Sequence, residues 1–141
     1  MAFFEITPEV AGGLGQHTVV EGEDYPPGVT KLHYEFYGWL GDDILEAFPC
    51  VIVTDRLREA IENEALSGCQ FDAVRVSTTS EFRALFPDTE LPHFSWLRLV
   101  GEAGRDDFGF GVGNSPVVSE RALKCLQRFT LEQCEVVDYK G

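Results

Sequence analysis

Two stretches of the chain, IVTDRLREAI at 52–61 and VVSERALKCL at 117–126, carry the same order of residue types at a constant offset of 65 residues. Each passes from an apolar run to a hydroxyl residue (Thr54, Ser119), then an acid (Asp55, Glu120), then an arginine (Arg56, Arg121). A hydroxyl at that place caps a helix, and an acid in the first turn is favoured by the helix dipole. The following residues keep an apolar stripe at i, i+3, i+4 and i+7: Ala122, Cys125, Leu126 and Phe129 in one copy, and Leu57, Ala60, Ile61 and the polar Glu64 in the other. Without a gap, residues 50–75 match 115–140 at Leu66/Leu131 and Cys69/Cys134, and upstream Asp42 meets Asp107. Both copies run on into strand-like segments, CQFDAVRV and CEVVDYK. The pattern predicts a strand-end, helix, strand unit used twice. Two independently capped amphipathic helices would give the same pattern, and two copies are too few for a solenoid.

The rest of the chain reads as strands and turns. AFFEI at 2–6 is a first strand, and residues 11–30, with GGLG, EGED and PPG, form a long loop. KLHYEFYGW at 31–39 is an aromatic strand carrying rings on both faces. SEFRALFP at 80–87 is a short helix with Ser80 as its cap. HFSWLRLV at 93–100 and DFGFGV at 107–112 suit a hairpin, and the alternate Gly109, Gly111 and Gly113 leave one strand face bare for another backbone or a ring. The expected class is α+β: a mixed, mostly antiparallel sheet with two main helices packed on it. With 141 residues, 44% of them hydrophobic, one domain over 1–141 is expected.

Composition narrows the function. The N-terminus has no basic region and no long apolar run, so a cytoplasmic protein with no membrane association is expected. Cysteines 50, 69, 125 and 134 lack CxxC spacing, which points to free thiols and no metal site, although their even number leaves a disulfide open. Acids outnumber Lys and Arg by 24 to 11, a net charge of −13. Such a surface repels nucleic acid and anionic membrane and attracts cationic clefts, or it serves solubility alone. DFG at 107–109 lacks the other parts of a kinase, and GFGVG at 109–113 lacks the spacing and lysine of a phosphate loop. Ser119 lacks the glycines of a nucleophile elbow, so no catalytic residue and no cofactor is assigned. His33 and Glu35, two apart on one strand, are the one acid–base pair a small-molecule or metal-dependent enzyme could use. The acids gather at Glu21, Glu23 and Asp24, at Asp42 and Asp43, and at Asp106 and Asp107. Beside Trp39 and Phe108 they would form an acidic rim around aromatic anchors, as in a tight protein contact.

Thr54-Asp55-Arg56, Leu85-Phe86-Pro87, Pro92-His93-Phe94-Ser95-Trp96-Leu97 and the closing Val117 to Leu126 helix occur in an order that resembles the small cytosolic immunity proteins of bacterial polymorphic-toxin systems, in the group related to a myxobacterial immunity domain. The likeness spans about residues 50–139. It implies a stoichiometric inhibitor that neutralises a cognate toxin domain without catalysis. Joined to the charge, it predicts occlusion of the cationic site of a nuclease or nucleotide-acting toxin, through Glu21, Glu23, Asp24, Trp39, Asp42, Asp43, Asp106, Asp107 and Phe108. An acidic mimic directed at another nucleic-acid-binding enzyme is the alternative.

Overall fold

The computed structural model describes residues 2–22 and 28–140. The repeated sequence folds as a repeated unit. In the first, β5 (Ile44–Ala47) pairs with β6 (Cys50–Thr54), α1 (Asp55–Asn63) follows, and the chain returns as β7 (Cys69–Asp72). In the second, β10 (Phe108–Phe110) pairs with β11 (Pro116–Ser119), α3 (Glu120–Gln127) follows, and β12 (Glu135–Asp138) returns. Neither returning strand pairs with its own hairpin. A further strand lies between: β9 (Phe94–Leu99) in the first sheet, ordered β5-β6-β9-β7, and β1 (Phe3–Thr7) in the second, ordered β10-β11-β1-β12.

The registers agree. Thr54 faces Phe94 where Ser119 faces Phe3, and Phe71 faces Leu97 where Val136 faces Ile6. β1 therefore stands where β9 stands, and the second unit is completed by a strand from the other end of the sequence. The upstream match needs one correction. Phe108 opposes Val118 as Ile44 opposes Val53, so Asp107 corresponds to Asp43 and not to Asp42. The offset slips because Phe48 and Pro49 close the first hairpin, whereas Val112, Gly113 and Asn114 close the second.

The helices start where the sequence placed them, after Thr54 and Ser119, but only Ser119 caps through its side chain; Thr54 makes no capping hydrogen bond, its hydroxyl donating to Asp43 instead. Ser119 Oγ accepts the Ala122 N–H at 3.0 Å, and one apolar face of each helix is buried, through Leu57 and Ile61 or Ala122, Cys125 and Leu126. These side chains share a core with Ile6, Val51, Val53, Leu97, Phe108 and Val118, so the two sheets and two helices enclose it together.

A third sheet is built from residues outside the repeat. β4 (Gly28–Phe36) is flanked on one edge by β2 (Gly12–Leu14) and β3 (Val19–Glu21), end to end, and on the other by β8 (Val74–Thr78), parallel. The stretch expected as a loop over 11–30 thus holds two strands and the start of β4. With α2 (Ser80–Leu85), this sheet packs on the outer face of the first unit around Tyr34, Phe36, Leu45, Ile52, Phe82, Phe94 and Trp96. β6 is buried along its whole length because its alternate side chains enter different cores, which its unbroken run CVIVT anticipates. In the second unit the place of Trp96 is taken by Glu5, and no described sheet covers that face.

Other expectations shift. Thr79, not Ser80, caps α2, accepting the Phe82 N–H at 3.1 Å. The hairpin expected over 93–112 does not form, since β9 pairs with β6 and β7 while β10 pairs with β11. The close approach expected at the alternate glycines holds at two of the three: a Cβ on Gly109 would lie 2.6 Å from the Ala103 nitrogen and one on Gly111 3.3 Å from the Tyr139 ring, whereas Gly113 lies in the turn beyond the strand with open space at its Cβ. The four cysteines are free thiols. Among the described residues, no helix is long and apolar enough to cross a membrane.

Candidate functional site

Asp43 and Asp107 hold equivalent positions just before β5 and β10. Asp43 Oδ1 accepts the Thr54 hydroxyl at 2.5 Å and Arg56 Nε at 2.7 Å, while Oδ2 accepts Arg56 Nη2 at 2.6 Å and the Thr130 N–H at 2.8 Å. Asp107 Oδ1 accepts the Ser119 hydroxyl at 2.5 Å, and its Oδ2 accepts the Ser67 N–H at 2.8 Å and Arg121 Nη2 at 3.2 Å. Each carboxylate gathers the hydroxyl and arginine of its own unit and the loop N–H that follows the other unit's helix. The exchange is reciprocal and fastens the two units together. Burial pushes both carboxyls up, but the hydroxyl, guanidinium and N–H donors outweigh it and hold both below the usual range.

Asp42 is fully buried and accepts the Glu132 and Gln133 N–H groups at 3.0 and 2.8 Å. Burial raises its pKa despite those donors, helped by Glu132 and Asp43 nearby. Asp42, Asp43 and Phe108 are thus corrected from contact residues to interior ones: Phe108 is 1% exposed, and the two carboxylates already have their partners inside the fold. Asp107 is turned inward in the same way. Asp106 accepts the Glu102 N–H at 2.7 Å in its own turn. Glu21 is exposed on β3, far along the sequence from these acids, and Glu23 and Asp24 lie outside the described residues.

Trp39 keeps a role at the surface. Its indole N–H donates to the Asp42 carbonyl at 3.0 Å, and its ring meets Phe94 edge-on, which fixes the side chain as one wall of a cleft of about 460 Å³. Leu91 and Pro92 form the apolar side opposite, with Asp55, Arg56, Glu90 and His93 around the mouth. Arg56 is held by Asp43, and His93 Nδ1 lies 2.8 Å from Asp55, so both basic side chains already have an acid partner. Glu90 is exposed and forms no ion pair among the described residues. An aromatic cleft with a mixed rim therefore exists, walled by Trp39, with Asp55 set against His93, Asp43 against Arg56, and Glu90 the acid without an ion pair among the described residues. Asp55 and Glu90 escaped sequence reasoning because one looked like a helix-start acid and the other a loop residue; only the packing of the 90–93 segment beside α1 joins them.

His33 and Glu35 do not form the pair considered from sequence. His33 is buried, its Nδ1 accepts the His17 N–H at 3.2 Å, and its Nε2 lies 2.7 Å from Ser77 Oγ on β8. With Nδ1 accepting, the ring proton is on Nε2 and points at Ser77, so the imidazole cannot take the serine proton.

In comparisons with known proteins, no family model matches the chain and no curated protein matches it.

Proposed function

We propose that this chain is a cytoplasmic immunity-type inhibitor that binds a cognate toxin domain and covers its cationic site, without catalysis, and that the Trp39 cleft is the contact. The observation carrying it is the aromatic-walled cleft with the unpaired Glu90 at its rim, in a protein whose cations are mostly committed to its own acids. Arg56, Arg58, Arg98, Arg105, Arg121, Lys124 and Arg128 all sit in ion pairs with the protein's own acids. Glu59, Glu81, Asp88 and Glu90 are exposed without such a partner among the described residues. Glu59 follows Asp55 by one helical turn, and Glu81 and Asp88 flank the segment leading to the cleft. A field of this sign speeds encounter with a basic surface, and a fixed indole beside apolar residues supplies a desolvated centre. The resemblance noted from sequence names the kind of partner.

The test is capture of the toxin domain from lysate of the producing cells by the tagged protein at low and high salt, followed by titration of the captured domain. One basic protein should be retained at low salt. Asp55→Lys with Glu90→Lys should weaken its binding by about 10-fold or more. Unchanged affinity in the folded double variant removes the cleft from the contact, and failure to retain any basic protein from cells expressing the toxin removes the inhibitor reading.

A further inference from the structure

The second sheet ends on an open strand. Its β10 edge is met by Glu102, which bridges Phe110, but β12 pairs with β1 alone among the described residues. All four residues of β12 are exposed. The Tyr139 N–H donates to the Phe3 carbonyl at 2.9 Å, so by the alternation of an antiparallel ladder Glu135 and Val137 also turn their backbone groups to β1, while Val136 and Asp138 turn theirs outward. Side chains alternate as well: Glu135 and Val137 stand on the sheet face of Glu5, Val136 and Asp138 on that of Ile6.

The equivalent strand of the first unit is disposed differently. β7 runs through Ala73 straight into β8, and its acid Asp72 is paired with Arg98 at 3.3 Å. On β12, Glu135 and Asp138 have no ion pair among the described residues, and Val137 between them is 58% exposed. Lys140, beyond the strand, is the nearest cation along the chain. An open edge takes another strand by main-chain pairing, and the side chains across it select which one. A second copy set there would bring four strand acids, two from each β12, to one seam between chains of net charge −13. A strand of opposite sign meets attraction at the same positions.

We propose that β12 docks an extended basic segment of a partner protein as a fifth, antiparallel strand of the second sheet, with apolar residues opposite Val136 and Val137 and cationic ones opposite Glu135 and Asp138. The proposal does not rest on the Trp39 contact.

The test is titration of the isotope-labelled full chain, followed by NMR, with the peptide acetyl-TKVVKT-amide against acetyl-TEVVET-amide. Saturable shifts centred on the Val136 and Asp138 amides are expected, with the basic peptide bound about 10-fold tighter. The same basic peptide N-methylated at both valines keeps the charge but cannot pair, and should not bind there. Glu135→Lys with Asp138→Lys, both at exposed positions, should reverse the preference between the two peptides. No saturable binding, equal binding of the N-methylated peptide, or shifts centred away from 135–139 overturns the edge as a docking strand. An unreversed preference in the double variant overturns the charge selection, and self-association of the native chain through this edge assigns it to a second copy and overturns the partner.

Discussion

Replacing Asp43 by Asn tests the cross-unit fastening directly. The side chain is 2% exposed and receives four hydrogen bonds between 2.5 and 2.8 Å, two on each oxygen. Asn is nearly isosteric, but its NH2 opposes Arg56 Nη2 and the Thr130 N–H when turned one way, and Arg56 Nε when turned the other, where the Thr54 hydroxyl can rotate to accept. Losing at least one bond and weakening the rest from charge-assisted to neutral costs about 3 kcal/mol at this buried site. Arg56 adds little, because its side chain is 63% exposed and water replaces the ion pair at a cost of about 0–1 kcal/mol. At Asp107 the carboxylate is 14% exposed and its Arg121 contact is 3.2 Å, so Asp107→Asn should cost less, about 2 kcal/mol. Urea unfolding reads this as a lower midpoint with an unchanged slope. A loss below about 1 kcal/mol for Asp43→Asn, or a larger one for Asp107→Asn, would refute the reasoning. Arg56→Ala must also cost clearly less than Asp43→Asn; equal losses would place the stabilisation in the ion pair instead of the Thr54 and Thr130 donors. The sign with pH follows from the depressed carboxyls. Their contribution is complete above the unfolded value of about 3.9 and is lost as pH falls through the lower folded value, so the acid limb of stability should be shallower in Asp43→Asn.

Two further outcomes are expected. Burial, then His17 and Arg75, lower the His33 pKa against the opposing pull of Glu35, so the stability held by its neutral ring is complete above about 6.5 and declines as pH falls from there towards the folded value. Urea midpoints at two pH values either side of that point should separate in the native sequence and converge in His33→Gln; equal separation in both would exclude the ring as the cause. Gly109→Ala drives a methyl into the Glu102–Ala103 backbone and should cost about 3 kcal/mol, whereas Gly13→Ala, with open space at its Cβ, should change thermal stability by less than about 0.5 kcal/mol. Similar melting temperatures for the two variants would contradict that close approach.

What the sequence reveals here is what local chemistry determines. The helix starts after Thr54 and Ser119 and the stripes behind them are set within a few residues, and both helices form there, although only Ser119 caps through its side chain. The hairpin over 93–112 fails because strand pairing is a choice among distant partners: β10 meets β11, and Trp96 belongs to a strand already paired on both edges. β1 looked like an isolated opening strand, with nothing local to show that its partners are Val118 and Val136. The acids are the sharpest case. GDD and RDD read as solvated loop charge, yet an aspartate repeated ahead of each hydroxyl-acid-arginine start was itself a signal of an internal acceptor, since the Arg and the hydroxyl of both copies turn to it. Asp55 and Glu90 carried no comparable pattern.

The placement of β1 also sets an order of events. Phe4 pairs with Val118 on one side and Asp138 on the other, so the second sheet cannot close until the last strands have been made. The first unit has all its strands between Ile44 and Leu99 and can assemble earlier. During synthesis the opening strand therefore waits, its Phe3, Phe4 and Ile6 side chains without their partners, while the first unit condenses; non-local closure of this kind slows folding and lengthens exposure to aggregation. Chain topology thus gives two units of matching architecture very different histories.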